Sequence, residues 1–183
     1  MNIATTRRQT TTPRGKRLRH SGSAKVQRAQ LAAIYARKRL LRTLDDAHKQ
    51  HRIVWLSGPP GAGKTTLASS YIEARGLPCL WYQIDESDND VASFFHYFSL
   101  AVKAAAPRHR KPLPCLTPDH LPTLKVFARQ YFQAVFNRFP HNSAWVFDNY
   151  HALQDDSPLH AVLHEVLTDL PPSVSVIAIS RND

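Results

Sequence analysis

The chain has 183 residues, 43% of them hydrophobic and 21% charged, which is ordinary for one globular domain. Its two cysteines, Cys79 and Cys115, are too few for a disulfide framework, and no stretch approaches the ~20 apolar residues that cross a bilayer. Because the N-terminus also lacks an apolar signal core, the composition predicts a cytoplasmic protein with reduced thiols.

The net charge of +10 is concentrated near the N-terminus. Residues 1–42 hold 12 of the 24 Lys and Arg and no Asp or Glu, so the rest of the chain is close to neutral. Residues 1–24 carry few apolar side chains, which predicts a disordered basic leader before a folded domain over 25–183. Since no aromatic residues are interleaved, we expect the leader to bind nucleic acid weakly and non-specifically.

Apolar periodicity predicts strands and helices that alternate along the chain. The predicted strands are residues 53–57, 79–84, 144–147 and 174–179. The predicted helices lie within 29–51, 64–75, 121–139 and 157–170, with a further aromatic helix around 94–102. Gly76 is predicted to end the second helix, Asp88 or Asn89 to cap the aromatic helix, and Ser157 to cap the last one before Pro158. This alternation predicts an α/β fold with a mainly parallel sheet, and the apolar run 53–57 looks like a buried strand.

The segment after the first strand carries the phosphate-binding pattern GxxxxGK[ST]. Its residues are Gly58, Pro59, Pro60, Gly61, Ala62, Gly63, Lys64 and Thr65. Thr66 is expected to donate a further hydrogen bond to the phosphate. The glycines allow backbone N–H groups to turn around phosphate oxygens at a helix N-terminus, which itself favours anions. We expect Lys64 to bind the β- and γ-phosphates of ATP and the Thr65 hydroxyl to ligate Mg²⁺.

Further site residues follow the later strands. Asp148 ends the third strand and supplies the carboxylate that a Mg²⁺ site requires. The next residue, Asn149, orients water but does not accept its proton, so hydrolysis is expected to be slow unless Asp85 or Glu86 lies near the γ-phosphate. Arg181 follows the fourth strand at the ligand-facing edge, where it is either a γ-phosphate sensor or a solvent-facing side chain.

Several stretches resemble the ATPase module of the large LuxR-type transcriptional activators, the maltose-activator group of STAND ATPases. They are Arg37–Asp45, the phosphate loop with Thr66 and Leu67, Trp81–Asp90, Val146–His151 and Leu170–Arg181. The resemblance implies a three-layer α/β/α P-loop NTPase fold of the ASCE type. It also implies a nucleotide switch that binds ATP and Mg²⁺ within a cytoplasmic transcriptional regulator.

The chain departs from this family in two respects. The family usually has Asp where this chain has Asn149, which lowers the expected ATPase activity. Family members also continue into a winged-helix region, a helical-repeat sensor and a DNA-binding domain, which we expect this chain to lack because it stops just after its fourth strand. By the resemblance, the sheet gains a further strand beside 53–57. We therefore expect a domain that is incomplete at its C-terminus, with an open sheet edge at 53–57 and a tendency to self-associate.

Two other functions fit parts of the sequence. A small P-loop nucleotide or metabolite kinase has this length but needs an Arg-rich lid, and the cluster Arg108–Lys111 in a proline-rich loop is its one candidate. A nucleic-acid-binding protein with secondary ATP binding would use the basic leader. His160 and His164 have a metal-compatible spacing, but without a third ligand a surface pair is expected.

Overall fold

Helices and strands alternate along the chain, as the sequence predicts. In this computed structural model, the described residues are Lys25 and 37–181. The strands are β1 (Ile53–Leu56), β2 (Cys79–Gln83), β3 (Ser143–Asp148) and β4 (Val174–Ile179). The α-helices are α1 (Lys38–Gln50), α2 (Lys64–Arg75), α3 (Val91–Ala105), α4 (Leu124–Phe136) and α5 (Pro158–Thr168). Short 3-10 helices cover Glu86–Asn89, Pro118–Thr123 and Tyr150–Ala152. The predicted leader 1–24 and the predicted helical residues 29–36 lie outside the described part of the chain, so the domain limits stay predictions.

The four strands form one parallel sheet in the order β1-β4-β3-β2. Trp145 of β3 is aligned with Leu80 of β2 on one side and with Val176 of β4 on the other. All strands point the same way, so their carboxyl ends share one edge of the sheet, where ligands bind in open α/β folds. The prediction of an α/β fold with a mainly parallel sheet is confirmed.

Helices cover both faces of the sheet, because side chains of its central strands alternate between two cores. Trp145 and Phe147 of β3 point to the core with α3, α4 and α5, whereas Ala144 and Val146 point to the core with α1 and α2. All six residues of β3 are buried, as a strand covered on both faces requires. The three-layer α/β/α arrangement that the resemblance implies is therefore present.

Aromatic side chains dominate the larger core. The rings of Phe94 and Phe98 on α3 are fully buried and contact the ring of Tyr82 with centroids 5.6 and 5.3 Å apart. Each such ring contributes about 1.5–3 kcal/mol by leaving water, and the edge-on contacts add to this. The aromatic helix predicted from the sequence is thus a core element. No helix in the described part of the chain is long and apolar enough to cross a bilayer.

Helix α3 is capped by Asp90, and the prediction that Asp88 or Asn89 caps it is wrong. The Asp90 carboxylate accepts hydrogen bonds from the backbone N–H groups of Ala92 and Ser93. Asp88 is instead buried and accepts a hydrogen bond from the Tyr82 hydroxyl, 2.6 Å away. The predicted caps are confirmed: Gly76 ends α2, and Ser157 caps α5 ahead of Pro158.

Strand β1 lies at an edge of the sheet, so its interpretation as a buried strand is wrong. It pairs only with β4 among the described residues, and Ile53 and Trp55 are 39% and 51% exposed. The run is apolar along its whole length, which is why its sequence looks like that of a central strand. The open edge expected from the resemblance is present.

Candidate phosphate-binding site

The phosphate loop joins β1 to α2 at the carboxyl edge of the sheet. Gly61 and Gly63 have φ angles of 77° and 78°, in the left-handed region that favours glycine. Gly63 stands at the cap position of α2, where no side chain bonds the first turn of the helix. Because the first N–H groups of a helix have no partner within it, this end of α2 is suited to an anion.

Lys64 is the first residue of α2, and its side chain folds over the loop. Its Nζ lies 2.6 Å from the carbonyl oxygen of Gly58 and 2.9 Å from that of Pro59, and it donates a hydrogen bond to each. The ammonium group is therefore held against the same loop whose glycines form the cradle. A phosphate bound in this cradle would meet both the helix terminus and the Lys64 charge.

Thr65 and Asp148 meet although they lie 83 residues apart. The Thr65 hydroxyl donates to Oδ1 of Asp148 at 3.3 Å, and the backbone N–H of Asn149 donates to the same oxygen at 2.9 Å. Asp148 is buried at the end of β3, and its carbonyl accepts from the N–H of Ile84 at 2.8 Å, which fixes this strand end beside β2. A hydroxyl and a carboxylate are the hard oxygen ligands that Mg²⁺ prefers, so the pair fits this cation.

Burial is the main influence on the pKa of Asp148. The low-dielectric surroundings raise the pKa of this carboxyl above its ordinary value near 3.8, although the hydrogen bonds from Thr65 and from the Asn149 N–H act in the opposite direction. A bound cation would lower this pKa again, since a nearby positive charge favours the carboxylate.

Asn149 has a left-handed backbone, with φ 61° and ψ 39°, and it precedes the 3-10 helix Tyr150–Ala152. Asn is one of the few residue types besides Gly that adopt this conformation readily. The residue therefore has a backbone role at the turn after β3 in addition to any role of its amide.

Arg37 is a residue of this site that sequence reasoning missed. It precedes α1, and its Nη1 donates to the carbonyl oxygen of Ala62 at 3.1 Å. A Cβ added at Gly63 would lie 3.4 Å from the Arg37 guanidinium, so the two residues are packed together. The sequence placed Arg37 only in a stretch that carries the family resemblance, and nothing in its spacing indicates contact with the loop.

The remaining predicted site residues do not take part in the contacts described above. Arg181 follows β4 at the ligand-facing edge and is exposed. The alternative acid Asp85 caps the 3-10 helix Glu86–Asn89, where its Oδ1 lies 2.8 Å from Lys25 Nζ and accepts from the Ser87 N–H. Burial raises the pKa of Asp85, but the hydrogen bonds from Lys25 and Ser87 outweigh it and hold the pKa below its ordinary value. Asp85 is therefore committed to these partners.

His160 and His164 do not form the simple surface pair that was expected. His160 is half-buried, with Nδ1 3.0 Å from the Tyr150 hydroxyl and Nε2 3.0 Å from the carbonyl oxygen of Gln154. Both ring nitrogens of His160 are engaged, while His164 is exposed. Across the residues that the structure describes, no group of three or more His, Cys, Asp or Glu side chains is arranged to hold a metal ion.

Comparison with known proteins shows which family the chain belongs to. The family model described as Nephrocystin 3, N-terminal matches residues 33–181. The chain is also similar to the HTH-type transcriptional regulator MalT of Vibrio campbellii, with 30% identity over 79% of this chain and 16% of that protein. MalT of Klebsiella pneumoniae subsp. pneumoniae is 30% identical over 80% of the chain and 16% of its own length. For MalT of Vibrio cholerae the identity is 29%, over 72% of the chain and 14% of the relative. The chain thus spans less than a fifth of the length of these relatives.

Proposed function

The chain belongs to the family described as Nephrocystin 3, N-terminal, and we propose that it binds ATP with Mg²⁺ as the nucleotide switch of a MalT-like transcriptional regulator. Its α/β module is similar to 16% of the length of HTH-type transcriptional regulators named MalT. In this proposal the bound nucleotide changes the arrangement of the module. Hydrolysis, which is slow at most, returns the module to its earlier arrangement.

The contact between Thr65 and Asp148 is the observation that carries the proposal. It joins the end of the phosphate loop to the end of β3 at 3.3 Å, and both side chains offer oxygen atoms to a cation. In our proposal these two residues hold Mg²⁺, the glycines at 58, 61 and 63 let the loop close around phosphate, and Lys64 binds the terminal phosphates. Pro59, Pro60, Ala62 and Thr66 complete the loop.

A path of contacts connects this site with the acidic segment before α3. Asp148 holds the backbone of Ile84, one residue before Asp85, by a hydrogen bond of 2.8 Å. Beyond the turn at Asn149, the N–H of Gln154 donates to Oδ1 of Asn89 at 2.9 Å. We propose that a change at Asp148 on cation binding moves both ends of this path together, which gives the switch its output.

The proposed turnover is slow because no acid follows Asp148. Asn149 orients water through its amide but has no basic group to accept a proton. The exposed Arg181 is the proposed sensor of the γ-phosphate, since it follows the strand next to β1.

The proposal is tested by measuring ATP binding calorimetrically with and without Mg²⁺. We expect Lys64→Ala to abolish binding, and Asp148→Asn to remove the advantage that Mg²⁺ gives. Lys125→Ala is the matched control, because Lys125 is an exposed helical lysine that contacts no part of the phosphate loop. Circular dichroism checks that each variant is folded. Equal ATP affinity in the wild type and Lys64→Ala would contradict the proposal.

The wider role rests on the relatives. As a module of a MalT-like regulator, the chain would work in the cytoplasm, together with regulatory and DNA-binding domains, and its basic leader would add weak nucleic-acid binding. The kinase alternative gains no support from the fold. The side chains of Arg110 and Lys111, which the alternative assigns to a lid, line a groove beside α3 to which no phosphate-loop residue contributes.

A further inference from the structure

A second recess lies outside the phosphate site, between α3 and the proline-rich segment 107–116. It has a volume of about 730 Å³. One face of α3 forms its wall through positions 92, 95, 96, 99, 100 and 103, which follow helical spacing along nearly the whole helix. Neither the phosphate loop nor β3 contributes a lining residue, so this groove is separate from the proposed nucleotide site.

The rim of the groove is positively charged. Lys103, Arg110, Lys111 and Arg138 line it, and none of its lining residues is Asp or Glu. Lys103, Arg110 and Lys111 are exposed, and Arg138 is half-buried. Since the chain after residue 42 is close to neutral overall, four cations in a lining that includes no acid make this a local positive field.

The floor of the groove is apolar. Phe95, Leu100, Leu113 and Leu116 contribute to the lining, and the Leu100 side chain is 40% exposed. An exposed leucine in a groove that cationic side chains also line offers a contact surface that water solvates poorly. The groove therefore combines an apolar floor with a cationic rim, which suits a ligand that has both characters.

Several contacts hold the groove in shape. Arg138 Nη2 donates to the carbonyl oxygen of Lys111 at 2.6 Å, which ties the proline-rich segment to the residues after α4. Pro107, Pro112 and Pro114 restrict the backbone of this segment. On the α3 side, the Ser99 and Tyr131 hydroxyl oxygens lie 2.7 Å apart and join α3 to α4. A groove that is already formed binds its ligand with little cost of ordering.

We propose that this groove binds a small amphipathic anion, in which an apolar or aromatic body carries a carboxylate, sulfonate or phosphate group. The body would lie on Leu100, Leu113 and Leu116, and the anionic group would face Arg110 and Lys111. The volume lies in the range of small-molecule sites, roughly 300–1,000 Å³. Single-stranded nucleic acid fits less well, because the one Phe, Tyr or Trp of the lining, Phe95, is buried and offers no ring for stacking.

The test uses the full chain and the dye 8-anilinonaphthalene-1-sulfonate, an aromatic sulfonate whose fluorescence rises on binding. The Lys64→Ala variant and saturating Mg-ATP each separate the groove from the phosphate site. We expect the dye to bind Lys64→Ala as well as the wild type, and Mg-ATP to leave its binding unchanged. The uncharged analogue N-phenyl-1-naphthylamine should bind at least about tenfold more weakly, since it lacks the anionic group.

Variants then locate the binding. Arg110→Gln with Lys111→Gln should weaken dye binding about tenfold and reduce its dependence on salt. Arg108→Gln with Lys125→Gln is the matched control, because it removes the same charge from residues that do not line the groove, and it should leave binding unchanged. Circular dichroism confirms that both double variants keep their fold.

Cys115 provides an independent readout, since its exposed thiol lines the groove. Bound dye should slow alkylation of Cys115, measured on its peptide by mass spectrometry, several-fold in the wild type but not in the Arg110→Gln/Lys111→Gln variant. The proposal is overturned if Mg-ATP displaces the dye, if the uncharged analogue binds equally well, or if the two double variants behave alike. None of these outcomes requires ATP binding through Lys64 to fail, so the two proposals fail separately.

Discussion

Lys25 Nζ lies 2.9 Å from Oδ1 of Asp88, a carboxylate with no exposed surface, although 63 residues separate the two. The same ammonium group contacts Asp85 Oδ1 at 2.8 Å and Ser87 Oγ at 2.9 Å, so three oxygen atoms surround its three N–H donors. The ring of Tyr97 lies 4.8 Å away and adds a cation–π contact. Lys25 thus fixes the acidic segment that precedes α3.

We predict that Lys25→Met destabilises the protein by about 3–5 kcal/mol, because it leaves the buried charge of Asp88 without its cationic partner. Urea unfolding measures this loss. Lys49→Met is the control, since the Lys49–Asp46 ion pair is exposed and its removal should change stability little. The double variant Lys25→Met/Asp88→Asn should be less destabilised than the sum of its single changes, because both charges are gone. Additive effects would show that Lys25 and Asp88 are not energetically coupled.

The Lys25 contact also shows where prediction from sequence ends. Periodicity located the strands to within about one residue, because alternation and apolar runs are local properties. The cap of α3 was assigned to Asp88 or Asn89 instead of Asp90, because these residue types are equally suited to it. Asp88 turns inward because it accepts hydrogen bonds from Tyr82 and from the distant Lys25. Local patterns do not encode such a contact.

In the candidate site too, the residues that lie in local patterns were predicted from the sequence, whereas a residue brought in by helix packing was not. The glycine pattern and the apolar strand before Asp148 are local, so the sequence predicted both parts of the site, and the structure brings Thr65 and Asp148 together. Arg37 was not predicted, since its contact with Ala62 depends on how α1 packs against α2. Periodicity likewise did not predict that β1 lies at the edge of the sheet, because apolar side chains occupy both faces of this strand. The edge position was expected only through the family resemblance.

We predict that Asn149→Asp raises ATP turnover about tenfold or more, because it supplies the missing proton acceptor next to Asp148. Asp tolerates the left-handed backbone at this position nearly as well as Asn does. Phosphate release under saturating Mg-ATP measures the change. Asn149→Ala is the control, as it removes the amide without adding a base, and it should not accelerate turnover. A wild type that already hydrolyses ATP at several turnovers per second would contradict the argument from Asn149.

The raised pKa of Asp148 predicts that Mg²⁺ binding weakens in acid. Mg²⁺ requires the carboxylate, so below this pKa its affinity should fall about tenfold for each pH unit. The variant Asp148→Asn should bind Mg-ATP weakly without this dependence. Titration of Mg²⁺ at several pH values, with ATP saturating, measures it, after correction for protonation of ATP itself. The same pH profile in the wild type and Asp148→Asn would exclude Asp148 as the titrating ligand.

The same pKa shift has a consequence for stability. Because folding raises the pKa of Asp148, its contribution to stability is fully present below the unfolded value and is lost as pH rises through the folded value. At neutral pH the buried charge therefore destabilises the protein when no cation is bound. We expect Asp148→Asn to have a higher melting temperature than the wild type at pH 7 in EDTA, and the difference should vanish in acid. A lower melting temperature for Asp148→Asn at pH 7 would contradict this sign.

The exposed edge of β1 predicts self-association of the chain. One side of β1 pairs with β4, and among the described residues no strand pairs with the other side. The strand is apolar and has neither Pro nor a charge, so nothing in it opposes pairing with a second copy. Trp55 is 51% exposed on this strand and contacts only one described ring, that of Tyr150.

Trp55→Lys should therefore lower the fraction of dimer at least several-fold in sedimentation velocity, because a charge on an edge strand blocks edge-to-edge pairing. Val126→Lys is the matched control. Val126 is 54% exposed on α4, so this substitution also replaces an exposed apolar side chain by lysine, but away from the sheet edge. Hydrogen exchange gives the second measurement: amide protection in Ile53–Leu56 should rise with protein concentration in the wild type but not in Trp55→Lys. Strong protection of these amides at every concentration would mean that the edge is already covered, and the predicted association would then be wrong.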